Sequence, residues 1–245
     1  MTIMEKIEAT GDESDSWFWH IDDNITLMIE AIFFDQDNTL VNTREVAGES
    51  YRAAINWVAA QKKIEAEKLW MEWRAVLDTL KKSIKPEERQ FSYSLSKVVT
   101  DEDLVEDAVE IQKKVLGEVI KLNAGVEEFF EKKIEGVKYI LFTEDFDDQI
   151  EIKLGKFELK EKFDLIVGSS MVGLMKPDIK FLQIAWDKFN LDPKNCLYIG
   201  DNFEKDCQIG KENGGKAIIF GRSDERADYR MDDFTELRGI LKILG

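Results

Sequence analysis

The chain is 245 residues long, enough to bury one sizeable core and still carry an insertion. Its composition, 44% hydrophobic and 34% charged, is that of a soluble globular protein. Acidic residues number 50 against 34 basic ones, and the net charge of −16 argues against nucleic acid and anionic membranes as partners, whose phosphates would be repelled. A small phosphorylated ligand stays open, since one metal ion and one lysine reverse the field locally.

Residues 1–27 read as an N-terminal extension. Gly11-Asp12-Glu13-Ser14-Asp15-Ser16 is acidic and polar, without the basic and apolar regions of a secretion signal. His20 follows in Trp17-Phe18-Trp19-His20-Ile21, where it reads as a surface or packing residue and not as a base. A strand is expected over 29–34. Residues 43–122 then read as helix almost throughout. Ala47, Tyr51, Ala54, Trp57 and Val58 fall at helical spacing, as do Leu69, Trp73, Val76, Leu77 and Leu80. Lys85-Pro86-Glu87 breaks the run. A third helix is expected over 91–99, and Thr100-Asp101-Glu102-Asp103 opens a fourth over 104–121. Four helices joined by short turns make a compact bundle. Trp57, Trp70 and Trp73 read as its packing residues, although one of them could face a cleft and stack on a substrate.

The bundle interrupts a core built from 28–42 and 123–245. There the pattern predicts a helix over 126–133, a strand over 137–142, a helix over 148–157 and a strand over 165–168. A helix over 179–189 precedes a strand over 196–199, a helix over 203–213 precedes a last core strand over 216–220, and a helix over 234–244 closes the chain. Short apolar strands alternating with helices specify an α/β fold with a doubly wound, mostly parallel sheet. No apolar run reaches the 18 or so residues of a membrane span, and the two cysteines, Cys196 and Cys207, read as reduced packing thiols of a cytoplasmic protein. With a single histidine in the chain, the chemistry falls to carboxylates.

Those carboxylates gather at predicted strand ends. The run Ile32-Phe33-Phe34 breaks into Asp35-Gln36-Asp37-Asn38-Thr39. Residues i and i+2 of a strand project to one face, so Asp35 and Asp37 are expected side by side. Two carboxylates about 4 Å apart repel by roughly 1 kcal/mol in water and by more when buried. Such a pair needs a cation, a shared proton or full solvation, and Mg²⁺ is a natural answer, because it takes hard oxygen ligands and keeps room for water and phosphate. Open α/β sheets bind ligands at these same carboxyl ends. Thr143 offers a hydroxyl to a phosphate there. Lys176 offers a point charge, just before Pro177 at an expected first helical position. Gly200-Asp201-Asn202-Phe203-Glu204-Lys205-Asp206 brings Asp201 towards the first pair, and Asp206 is positioned to brace Lys176 or a metal-bound water.

In order and spacing these motifs, with Val167-Gly168-Ser169-Ser170 at another strand end, resemble the haloacid dehalogenase superfamily, composed mostly of Mg²⁺-dependent phosphatases. The resemblance runs from residue 29 to about 222, and the insertion is similar to the helical cap of its first subclass, on a Rossmann-like core. It implies Asp35 as a nucleophile that becomes an aspartyl-phosphate. Asp37 would protonate the leaving alcohol and later deprotonate the attacking water. Mg²⁺ would be held by a carboxylate oxygen of Asp35, the backbone carbonyl of Asp37, and Asp201. Thr143, Lys176 and neighbouring Glu144 would meet the substrate, with Asp206 and Asn202 behind them. The cap would close over the site and read the leaving group. Relatives that dehalogenate or cleave phosphonates lack a carboxylate two residues after the nucleophile, so Asp37 favours phosphate monoesters.

Two residues depart from the family pattern. Gln36 stands where an apolar residue is usual, and Glu144 where Asn, Ser or Gly is common. The expected function is a Mg²⁺-dependent phosphatase of a small phosphorylated metabolite. A phosphomutase on the same core and a non-catalytic binder of a phosphorylated ligand are the alternatives.

Overall fold

The computed structural model describes residues 29–244. The expectations for residues 1–27, His20 among them, lie outside the described residues. Six strands form one sheet: β1 (Ala31–Phe34), β2 (Lys138–Phe142), β3 (Leu165–Val167), β4 (Cys196–Gly200), β5 (Lys216–Phe220) and β6 (Tyr229–Met231). Their order is β3-β2-β1-β4-β5-β6, and every pairing is parallel. The helices are α1 (Thr43–Lys62), α2 (Ala66–Leu80), α3 (Phe91–Ser96), α4 (Glu102–Val119), α5 (Val126–Glu131), α6 (Asp147–Leu154), α7 (Ser169–Val172), α8 (Lys180–Phe189), α9 (Gln208–Glu212) and α10 (Leu237–Leu244).

The strands are continuous apolar runs because both faces of the sheet are covered. Ile32 and Phe34 of β1 pack into a layer with Phe129 and Phe130 of α5 and Leu237 and Ile240 of α10. Ala31 and Phe33 face the opposite layer, with Phe181, Ala185 and Trp186 of α8. Both cysteines are free and buried in that second layer, and burial pushes the Cys196 thiol up to about 12. β6 departs from the sequence expectation. Three residues, one of them the outward Arg230, are too short and too mixed to stand out as a strand.

Helices α1–α4 share an apolar cluster of their own, in which Ala54, Ile55 and Val58 meet Leu69, Trp73, Leu95 and Ala108. Trp73 is buried, its Nε1 donating to Ser94 Oγ at 2.9 Å, and Trp70 packs beside it with tilted rings whose centroids are 5.2 Å apart. Asp101 caps α4 by accepting from Leu104 N at 3.3 Å. The two chain crossings between bundle and sheet lie side by side. Asn42 N donates to Lys121 O, Lys121 N to Asn42 Oδ1, and Asn123 N to Leu40 O.

Two local expectations change near the sheet's carboxyl edge. The sequence puts Pro177 at a first helical position, but α8 begins only at Lys180, after a cis Lys176–Pro177 peptide. The helix expected over 203–213 splits into a π-helical turn, Phe203–Cys207, and α9. Such turns mark places where a helix is bent to serve a side chain. This one presents Asp206. A side-chain carbon at Gly200 would collide with Asp206, so only glycine lets that carboxylate approach the end of β4.

Candidate active site

β1 and β4 are neighbours at the point where the strand order reverses, which is where open α/β sheets leave a crevice. The parallel ladder runs one residue beyond β1, with Asp35 N donating to Ile199 O at 2.9 Å. The chain then folds back tightly. Gln36 O accepts from Leu40 N and Val41 N, and Asn38 takes a left-handed conformation at φ 65°. Asparagine tolerates that region better than most residues.

Inside the turn Thr39 Oγ1 donates to Asp35 Oδ2 at 2.9 Å. Lys176 Nζ donates to Asp35 Oδ1 at 2.6 Å and to Asp206 Oδ1 at 2.8 Å, and lies 4.0 Å from the Phe142 ring centre. Its side chain is 2% exposed. Burial alone would depress the ammonium pKa, but Asp206 and Asp35 raise it above its ordinary value, so Lys176 stays charged. Burial, and then the charge of Asp206, hold the Asp35 carboxyl well above its usual range despite Lys176. Burial likewise raises Asp206.

Asp35, Asp201 and Asp206 offer carboxylate oxygens that all lie within 4.8 Å of one another. Lys176 serves two of these acids, and Arg44 reaches Asp201 at 2.7 Å with a side chain 69% exposed. This donor set fits Mg²⁺: hard carboxylate oxygens from three residues, close enough together to share one ion. The Asp37 side chain is not among them. It turns to Thr43 Oγ1 (2.5 Å) and to Lys153 Nζ (2.7 and 2.9 Å). The two carboxylates, expected side by side, each contact a different lysine. Asp206, expected behind Asp35 and Asp201, lies beside them.

Thr143 follows β2, is 1% exposed and accepts from Asp145 N. Asn202 uses its side chain to cap the π-helical turn, accepting from Lys205 N. Glu144 is spoken for on both oxygens: one accepts from Lys176 N at 3.1 Å, the other from Lys205 Nζ at 2.5 Å. Its charge therefore faces a lysine beside the phosphate-sized crevice. Gln36 is fully buried. Its Nε2 donates to Asp145 Oδ2 at 2.5 Å, while Oε1 has no partner.

Lys153 and Asp145 are the functional candidates that sequence reasoning missed. Lys153 is 4% exposed and bridges Asp37 to Asp145, the latter at 2.6 Å. Burial would lower its pKa, but Asp145 and Asp37 raise it, so the ammonium persists. Burial would raise Asp37, yet Lys153 outweighs it and the net shift is downward. A signal existed. Ile150, Lys153 and Leu154 fall at i, i+3 and i+4, which puts a lysine on the buried face of α6.

Two cavities meet at Asp37 and Glu144. One, of about 230 Å³, is lined by Asp35, Thr143, Lys176, Asp201 and Asp206. The other, of about 220 Å³, runs under the bundle past Tyr51, Gln112, Asp145 and Lys153. Trp57, Trp70 and Trp73 line neither; the aromatic residues of the second cavity are Tyr51, Phe91 and Phe146.

The model of haloacid dehalogenase-like hydrolases matches residues 32–220, from the middle of β1 to the end of β5. The chain belongs to that family. Among curated proteins, this haloacid dehalogenase-like hydrolase is 25% identical over 231 residues to a glyceraldehyde 3-phosphate phosphatase of Methanocaldococcus jannaschii, covering 89% of this chain and 99% of that one. It is 26% identical over 225 residues to the pyrophosphatase PpaX of Bacillus mycoides, covering 88% and 98%. Among solved structures it resembles a HAD phosphatase from Thermococcus onnurineus, with a TM-score of 0.69, 18% identity and coverage of 87% and 98%. It also resembles a 2-haloacid dehalogenase from Pseudomonas syringae pv. Tomato, with a TM-score of 0.68, 19% identity and coverage of 89% and 100%. At these identities the solved structures speak for the fold alone. The family's Rossmann-like core with helices around a parallel sheet is the fold found here.

Proposed function

We propose that this chain is a Mg²⁺-dependent phosphatase of a small phosphorylated metabolite, working through an aspartyl-phosphate on Asp35. The observation that carries the proposal is the placing of Asp35 between Thr39 and Lys176, at one corner of a triangle of carboxylates and on the same cavity as Asp37. The phosphatase relatives support it, one acting on glyceraldehyde 3-phosphate and one on pyrophosphate by their names.

Asp35, Asp201 and Asp206, with the backbone carbonyl of Asp37, would hold the Mg²⁺. When bound, it supplies positive charge against the acidic cluster and the phosphoryl oxygens. Thr143 and Lys176 orient the phosphoryl group, whose transition-state charge sits on its equatorial oxygens. A carboxylate oxygen of Asp35 attacks phosphorus as the bond to the leaving alcohol breaks, and Asp37 gives that alcohol its proton. Asp37 then takes a proton from the water that attacks phosphorus. Inorganic phosphate leaves, and the Asp35 carboxylate is restored.

Lys153 holds the Asp37 carboxyl below its ordinary range in the free protein, and the proton for the leaving alcohol is taken up as substrate binds. Negative charge on the bound phosphate favours that uptake. The bundle acts as a cap that excludes water and reads the leaving group.

Phosphate release from an aryl phosphate, with and without Mg²⁺, tests the reading. Activity should need the metal, and Asp35→Asn should abolish it. Equal activity in the variant rules out the assigned nucleophile.

A further inference from the structure

Each acid that lines the cavity beneath the bundle already contacts a lysine. Asp37 and Asp145 share Lys153, and Lys113 lies 3.1 Å from Asp148 and 3.0 Å from Glu110. Glu144 is paired with Lys205. Arg89 has no acidic partner, but it is exposed at the rim and donates to Lys81 O at 3.1 Å, so water screens it.

The uncommitted groups on the wall are neutral. Tyr51 and Gln112 both line the cavity. The Tyr51 hydroxyl has no hydrogen-bond partner among the described residues. Its ring is wedged between Trp73 and Phe91, with centroids at 5.2 and 5.1 Å, so the hydroxyl is presented without side-chain freedom. Burial raises its pKa, and at neutral pH it remains a donor. Gln112 is 2% exposed. Its Nε2 is tied to Ser50 Oγ at 3.3 Å, while Oε1 has no partner and is not sealed from the cavity.

An alcohol hydroxyl both donates and accepts, so it satisfies a phenol and an amide carbonyl together. A carboxylate or a second phosphate only accepts. It would leave Gln112 Oε1 facing oxygen, among acids whose lysines are taken. An ammonium finds no unpaired carboxylate on this wall.

From this we infer that the leaving group is neutral and multiply hydroxylated, making the substrate a polyol or sugar phosphate that Tyr51 and Gln112 read. The inference deepens the phosphatase reading and rests on it. Buried polar groups give strong discrimination of this kind, because an analogue lacking the hydroxyl leaves them unpaired.

The test compares kcat/KM for glycerol, pentose and hexose phosphates with phosphoglycolate, pyrophosphate, phosphoethanolamine and p-nitrophenyl phosphate, in the presence of Mg²⁺. The best hydroxylated ester should exceed both acidic substrates and the amine by at least about 10-fold. In Tyr51→Phe and Gln112→Met, its kcat/KM relative to the aryl ester should fall by about 10- to 100-fold. Tyr93→Phe, a cap tyrosine lining neither cavity, should leave that ratio unchanged. A preference for phosphoglycolate, pyrophosphate or phosphoethanolamine overturns the inference, as does an unmoved ratio in both variants. Absence of turnover on every ester, the aryl one included, refutes the phosphatase reading instead. Calorimetric binding of the same panel then decides this inference, and a tighter acidic or amino ligand overturns it.

Discussion

Lys153 Nζ lies 2.7 Å from Asp37 Oδ1, across 116 residues of sequence. The contact joins α6 to the turn after β1 and sets the charge state of the proposed acid–base group. Removing one partner of a buried ion pair leaves an uncompensated charge and costs about 3–5 kcal/mol. Lys153→Met should lower the unfolding free energy by less than that, about 1–3 kcal/mol, because Asp145 and Asp37 both lose their cation but are 17% and 34% exposed. Urea denaturation measures the loss. Among molecules that remain folded, kcat should fall, since Asp37 is no longer held in place. A variant as stable and as active as the parent would show the bridge to be idle.

Asp145 provides a signature in pH. Burial, and next the charge of Asp37, raise its carboxyl to about 6 against the pull of Lys153. The unfolded value is about 3.9, so the folded state holds this proton more tightly. Its contribution to stability is fully present below about pH 4 and is lost as pH rises to 6. Asp37 is shifted downward, so its own contribution is present above about pH 4 and lost as pH falls. The stability of the parent relative to Asp145→Asn should therefore decline between pH 4 and 6 and level off at 7. Urea titrations at each pH check it. A difference that stays flat from 4 to 6 means that Asp145 titrates normally.

Glu144 neutralises Lys205 at the edge of the phosphate-sized cavity. Glu144→Gln keeps the shape and frees the ammonium, so inorganic phosphate should inhibit more tightly. The lysine is 34% exposed, which limits the gain to about 2- to 5-fold in Ki. Competitive inhibition against an aryl phosphate is the measurement, and a weaker inhibitor would reverse the assigned sign.

Arg44 contacts Asp201, one of the three converging carboxylates, and so competes with a metal cation for it. Arg44→Ala should tighten Mg²⁺ binding by about 2- to 5-fold at low salt and by less at high salt, because the guanidinium is well solvated. The Mg²⁺-dependent rise in melting temperature reads this without turnover. An unchanged half-saturation concentration at low salt would show that the pair does not oppose the metal.

Much of the sheet was legible because a strand buried on both faces must be apolar throughout, as Ile32-Phe33-Phe34 and Tyr139-Ile140-Leu141 are. Where each run stops at a polar residue, the chain reaches the edge of the core. That is how Asp35, Thr143 and Asp201 could be marked as strand-end groups. β6 escaped, since three residues with an exposed arginine carry too little pattern. The π-helical turn escaped as well, because its residues also suit an ordinary helix.

Amino-acid order by itself determined which residues leave water, where the strands end and that acids cluster at those ends, because burial imprints a local periodicity. Tertiary structure alone decided how the charges pair. Asp37 is given to Lys153 and Thr43, Asp206 joins Asp35 and Asp201, and Glu144 turns to Lys205. Ion pairing depends on distances of a few ångströms between segments far apart in the chain, and no local pattern encodes such distances.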